Sequence, residues 1–266
     1  MSTYSEKSTK VQRLRVHHLA QAKQRGEKLV MLTAFDAAGT DMLLVGDSIG
    51  NTMLGRENTL EVTLDEMAVA TRAVASATTR AMVVADFPFG TYESGPTQAL
   101  ATGVRLLKAG AQAVKLEGGA TRAKSVKALT EAGIPVVGHL GFTPQSVNLL
   151  GGYRVQGRGD AGAQLLADAQ ALQEAGAVAL VLEMVPEPLA AEVTQTLSIP
   201  TIGIGAGAQV DGQVLVWTDM AGMTQWTPRF AARFGEVGAQ LEKAAASYGQ
   251  AVRSGAFPDA DHWFAK

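Results

Sequence analysis

Residues 98–139 read QALATGVRLLKAGAQAVKLEGGATRAKSVKALTEAGIPVVGH. One pattern occurs twice in this stretch. Apolar residues recur at helical spacing over 98–109 and again over 122–132. Each run closes on an alanine–glycine pair, Ala109-Gly110 and Ala132-Gly133. A glycine just past a helix accepts the left-handed backbone that ends it. A short apolar run then follows, at 113–116 and at 136–137. Helix, glycine and strand in repeated order predict parallel βαβ units.

Working outward, the same rhythm spans the chain. Strands are expected at 29–33, 42–45, 82–85, 113–116, 136–137, 179–182, 201–204 and 214–216. Most have no in/out alternation, which is how a strand covered on both faces reads. Helices are expected at 64–79, 98–109, 122–132, 161–175 and 187–197, with a third such ending at Ala175-Gly176. Thr63 and Glu66 have the spacing of a capping box. Strand candidates in this number and a length of 266 residues favour a (β/α)8 TIM barrel over a doubly wound open sheet. The expected layout is a disordered segment 1–10 and one catalytic domain over 11–266. That domain would begin with a basic helix at 11–26 and close with one or two helices at 229–255. The first crossover breaks the rule. A parallel connection needs about a dozen residues, and only five separate Asp36 from Met42. This predicts a break in the chain between Asp36 and Gly39.

Composition excludes several functions. The formal net charge is −2, which gives no reason to expect nucleic acid or an anionic membrane as a partner. There is no cysteine, so disulfides, thiolate metal sites and cysteine nucleophiles are ruled out. No apolar run approaches the roughly 18 residues of a membrane span, and the first ten residues lack the apolar core of a signal peptide. A cytoplasmic location is the expectation.

The chemistry is expected where the strands end. In a parallel barrel all these ends meet on one face. The sequence puts Asp47 and Ser48 after the second strand, Asp86 after the third, Lys115 and Glu117 on or after the fourth, His139 after the fifth and Glu183 after the sixth. Several carboxylates gathered in one place need a cation to compensate them. Asp47, Asp86 and Glu117 offer hard oxygens, and only one of the four histidines, His139, lies at a strand end. That donor set favours Mg²⁺ or Mn²⁺ over zinc. Ser48 reads as a hydroxyl donor to a ligand. Lys115 could form a Schiff base or bind a carboxylate, and with the same strand parity as Glu117 it should point the same way.

These residues lie within stretches that resemble the ketopantoate hydroxymethyltransferase family. They are Leu43-Leu44-Val45-Gly46-Asp47-Ser48, Ala85-Asp86-Phe87-Pro88-Phe89, Val114-Lys115-Leu116-Glu117-Gly118-Gly119, Gly138-His139-Leu140-Gly141-Phe142-Thr143-Pro144-Gln145-Ser146, Gly151-Gly152-Tyr153-Arg154-Val155-Gln156-Gly157-Arg158-Gly159, the end of the sixth strand at Glu183, and Gly203-Ile204-Gly205-Ala206-Gly207 with Asp211-Gly212-Gln213. The resemblance extends over nearly the whole chain. It implies transfer of a hydroxymethyl group from 5,10-methylenetetrahydrofolate to 3-methyl-2-oxobutanoate, giving 2-dehydropantoate by way of an enolate stabilised by magnesium. It implies Mg²⁺ at Asp47, Asp86 and Glu117, and substrate contacts from Asp47, Ser48, Asp86, Lys115 and His139. It implies Glu183 as the general base and a homo-oligomer, a decamer. Two other readings have the same barrel. One is a magnesium-dependent 2-oxo-acid lyase or mutase of the phosphoenolpyruvate/isocitrate-lyase type, which the missing cysteine disfavours. The other is an inactive barrel used for binding, which the full set of ionisable strand ends disfavours.

Overall fold

A computed structural model describes residues 13–33 and 39–264. The expectations for residues 1–10 and for a break between Asp36 and Gly39 fall on positions outside that description. Eight strands form a closed parallel barrel in sequence order. They are β1 (Leu29–Thr33), β2 (Met42–Val45), β3 (Met82–Asp86), β4 (Ala113–Glu117), β5 (Val136–Gly141), β6 (Ala179–Glu183), β7 (Thr201–Ile204) and β8 (Gly212–Leu215). The helices are α1 (Val16–Gln24), α2 (Ile49–Thr52), α3 (Leu64–Ala77), α4 (Pro96–Lys108), α5 (Ala123–Glu131), α6 (Val147–Leu150), α7 (Ala161–Glu174), α8 (Glu187–Thr196), α9 (Trp217–Met220) and α10 (Val237–Ser254). Two compact units emerge. The barrel unit runs to Leu215, and a second unit, Val216–Lys266, carries α9 and α10. The one or two helices expected over 229–255 are the single helix α10.

Local chemistry explains the boundaries. Thr63 caps α3: its hydroxyl accepts from the Glu66 N–H, and the Glu66 carboxylate accepts from the Thr63 N–H at 2.8 Å. Gly110, Gly133 and Gly176 all have positive φ just past their helices. Helix α1 starts at Val16, later than position 11, because His18 Nδ1 accepts from the Arg15 N–H and closes the helix there. Strands β1 and β2 pair in parallel, Met31 opposite Met42, although only residues 34–41 connect them.

The strands sort their side chains by parity. One set, including Met31, Met42, Leu44, Met82, Val84, Ala113, Val137, Ala179, Val181, Ile202 and Val214, forms one buried cluster inside the barrel, together with Leu19 and Ala22 of α1. The alternate set, including Val83, Ala85, Val114, Leu116, Leu180 and Leu182, packs with residues of the surrounding helices such as Leu106, Leu129 and Leu172. Continuing the inner parity toward the strand ends gives Asp86 after Val84, Lys115 and Glu117 after Ala113, His139 after Val137, and Glu183 after Val181. The period of two thus turns a hydrophobic interior into a polar one over the last residues of four strands.

Candidate active site

Four strands end later than their apolar runs do. β3, β4 and β6 each gain one residue, and these are Asp86, Glu117 and Glu183. β5 extends to Gly141 and includes His139. Glu117 pairs with His139 and Gly141 with Glu183 in the parallel ladder. The site is therefore built on rigid sheet. Gly141 makes one approach possible: its φ is +93°, and a Cβ there would stand 2.1 Å from the Glu183 carbonyl oxygen. That carbonyl accepts from the Phe142 N–H at 2.8 Å.

Lys115 is the centre. Its Nζ lies 2.8 Å from Asp86 Oδ1, 3.1 Å from His139 Nδ1 and 3.9 Å from Glu117 Oε1. Asp47, Asp86, Lys115, Glu117 and His139 are all buried, and Glu183 is half-buried. Asp86 Oδ2 accepts from the Asp47 N–H at 3.1 Å. A Cβ at Gly46 would be in ordinary contact with Asp86 Oδ2 and would crowd only the Ser48 hydroxyl, at 3.1 Å. Ser48 precedes α2, half-buried. On the far side of His139, its Nε2 is 3.3 Å from Glu183 Oε2.

The charges follow from burial. Burial pushes the Asp47 carboxyl well above the ordinary carboxylate range, and the charges of Asp86 and Glu117 push it the same way. Burial also raises Asp86, against the pull of Lys115. Glu117 rises to about 7, chiefly by burial. Burial disfavours the Lys115 ammonium, but Asp86, Glu117 and Asp47 together outweigh it and hold the charge. Burial lowers His139, and Lys115 lowers it further, so the imidazole is neutral. With a charged ammonium facing Nδ1, the ring proton is assigned to Nε2, toward Glu183.

All seven residues singled out in the sequence lie at the ends of β2 to β6. Lys115, Glu117, His139, Asp86 and Glu183 form one connected cluster. Two participants were not singled out, Gln145 and Tyr92. Gln145 Nε2 donates to Asp47 Oδ2 at 2.8 Å, and its N–H donates to Glu117 Oε2 at 3.0 Å. The available signal was a lone amide within the motif Thr143-Pro144-Gln145-Ser146, directly after β5.

Among the described residues no three His, Asp or Glu side chains already stand as a ligand set for a metal ion. Magnesium does not require one, because it commonly takes one or two carboxylates and completes its octahedron with water and substrate oxygens. Asp86 Oδ1, Glu117 Oε1 and His139 Nε2 are buried without a hydrogen bond; Asp86 Oδ1 sits at ion-pair distance from Lys115 but outside hydrogen-bond geometry. Buried polar atoms are normally satisfied, so hard oxygens left open beside a charged lysine fit a small cation with an anionic ligand.

The family model of ketopantoate hydroxymethyltransferase matches residues 13–260. A 3-methyl-2-oxobutanoate hydroxymethyltransferase from Rhodococcus jostii is 55% identical over 260 residues, covering 94% of this chain and 90% of that protein. Among solved structures, 2,3-dimethylmalate lyase, a member of the PEP mutase/isocitrate lyase superfamily, aligns with a TM-score of 0.56 at 16% identity, over 94% of this chain and 92% of that one. Phosphonopyruvate hydrolase in complex with oxalate and Mg²⁺ aligns with a TM-score of 0.57 at 13% identity, over 94% and 93%. Both structures share the fold.

Proposed function

The chain belongs to the ketopantoate hydroxymethyltransferase family, a family of one-carbon transferases, and from that premise we propose how its own residues carry the reaction. The substrates are 3-methyl-2-oxobutanoate, 5,10-methylenetetrahydrofolate and water; the products are 2-dehydropantoate and tetrahydrofolate. The observation that carries the reading is the run of close contacts from Asp86 through Lys115 and His139 to Glu183, at 2.8, 3.1 and 3.3 Å in turn.

Asp47, Asp86 and Glu117 would hold Mg²⁺, directly or through water, in keeping with their hard oxygens and the unpartnered Glu117 Oε1. A magnesium ion bound there supplies Lewis-acid polarisation of the 2-oxo group, which acidifies C3. Lys115 binds the substrate carboxylate. Its charge is held firmly by three acids, which suits ion pairing and disfavours a Schiff base, for which a free amine is needed. Ser48 donates to a substrate oxygen. Neutral His139 aims its Nε2–H at Glu183, which orients that carboxylate and leaves its other oxygen for a proton. Glu183 takes the C3 proton, and the resulting carbanion forms the C–C bond to the one-carbon unit of the folate. Both C–N bonds of that methylene break, water supplies the product hydroxyl, and the C3 proton and the remaining water proton end on the two folate nitrogens, giving tetrahydrofolate. Its position on β6, one strand beyond His139 and away from β2, β3 and β4, keeps the base apart from the cation.

The homo-oligomer belongs to the same proposal. In the second unit α10 has no buried residue, and Val237, Leu241, Tyr248 and Val252 are exposed along it, a surface suited to a second copy of the chain. No described helix is long and apolar enough to cross a membrane.

The test is hydrogen–deuterium exchange at C3 of 3-methyl-2-oxobutanoate in D2O, with MgCl2 and without folate. The wild type should catalyse exchange, and Glu183→Gln should lose it by about 10²- to 10⁴-fold while still binding the oxo acid. Exchange at the wild-type rate would remove Glu183 from the role.

A further inference from the structure

Gln145 is buried, 7% exposed, on a short turn after β5. Its side-chain amide uses both protons. Nε2 donates to Asp47 Oδ2 at 2.8 Å and to the Phe87 carbonyl at 2.7 Å. Its Oε1 accepts from the Tyr92 hydroxyl at 2.6 Å. Its backbone N–H donates to Glu117 Oε2 at 3.0 Å. Flipping the amide would set Oε1 against a carboxylate oxygen and a carbonyl oxygen, so only one orientation is tolerable. In that orientation the Tyr92 hydroxyl must donate. Burial, helped by the nearby Glu117 charge, raises the Tyr92 phenol and keeps it protonated for that purpose. Tyr92 itself is wedged beside Phe87, ring centres 5.8 Å apart, with the Arg122 guanidinium 5.4 Å from its ring centre.

We propose that Gln145 is a positioning residue for this reaction: its side chain fixes the Asp47 carboxylate, its backbone fixes that of Glu117, and Tyr92 sets the direction of its amide. The proposal rests on the reading of Asp47 and Glu117 as cation-binding groups. One residue after β5 thereby ties together the ends of β2, β3 and β4. Gln145→Leu keeps the backbone N–H that donates to Glu117 and removes the side-chain bonds to Asp47, Phe87 and Tyr92; pairing it with Asp47→Asn isolates the link to Asp47. A carboxylate whose partner is lost turns freely, and such supporting contacts are worth about 10- to 100-fold in metal affinity.

The experiment is calorimetric titration of MgCl2 into the full chain in the presence of 3-methyl-2-oxobutanoate. The proteins are the wild type, Gln145→Leu, Tyr92→Phe, Asp47→Asn and the Asp47→Asn/Gln145→Leu double variant. Gln145→Leu should weaken Mg²⁺ binding about 10- to 100-fold, and Tyr92→Phe by a smaller factor in the same direction. In the Asp47→Asn background the Gln145 change should cost less than about twofold, since coupled sites do not add. A merely structural Gln145 would give equal losses in both backgrounds, and that result would overturn the proposal. So would wild-type affinity in Gln145→Leu. If Gln145→Leu does not fold, unchanged affinity in Tyr92→Phe overturns it and weakened affinity supports it. Failure of the wild type to bind Mg²⁺ would defeat the site reading as well, whereas wild-type binding with indifferent variants defeats only the role of Gln145.

Discussion

Between about pH 4.5 and 7, Glu117 binds a proton that the unfolded chain would release. Its folded pKa is about 7, against 4.5 when exposed, because burial penalises the charge more than Lys115 and the Gln145 N–H relieve it. Between those values the folded state binds the extra proton, so this group's contribution is fully present below about pH 4.5 and is lost as pH rises through 7. We predict that in EDTA the wild type loses up to about 3 kcal/mol from pH 4.5 to 8 relative to Glu117→Gln, read from denaturant midpoints at each pH. Parallel curves for the two proteins would contradict it. His139 acts oppositely, since a neutral buried imidazole costs stability as pH falls below 6.5, but it is present in both proteins and cancels. The ionisable residues of the site could be read from sequence because a carboxylate or lysine at the end of an apolar run has few reasons to be there. Gln145 and Tyr92 could not. An amide and a phenol carry no charge to compensate, and their value lies in who faces them, which spacing does not encode.

At the scale of elements, the four strands that carry the site were each read short. An apolar run marks where burial by hydrocarbon ends, not where the ladder ends. Asp86 remains opposite Lys115, and Gly141 opposite Glu183, because the backbone hydrogen bonds continue into the polar layer. The parallel pairing of β1 and β2 was hidden for another reason. The expectation of a dozen connecting residues holds for a helical crossover, and here only 34–41 join the two strands. Gly141 tests the rigidity of the polar layer. Alanine there would meet the Glu183 carbonyl at 2.1 Å and also adopt a positive φ. At Gly133, φ is +81° and nothing lies within 4 Å of an added Cβ. Gly133→Ala should therefore cost only the left-handed penalty, about 1–2 kcal/mol, and Gly141→Ala distinctly more, in urea unfolding. Equal costs would mean that the β5–β6 junction yields easily and does not hold Glu183 in place.

On the scale of the whole molecule, the barrel was legible from its rhythm because eight parallel strands, each covered inside and out, leave few other closures. The chain's placing in a family of hydroxymethyltransferases agrees with what the barrel mouth displays: acids from β2, β3 and β4, one trapped lysine, and a carboxylate on β6 reached through a neutral histidine. For the proposed reaction these groups must act together on one anionic ligand with one cation. The most direct measurement is calorimetric titration of 3-methyl-2-oxobutanoate into the protein with MgCl2 and again with EDTA. We predict saturable binding, one oxo acid per chain, with magnesium and a loss of at least about 1.4 kcal/mol, tenfold in affinity, without it. Binding of equal strength in EDTA, or no binding in either condition, would contradict the account.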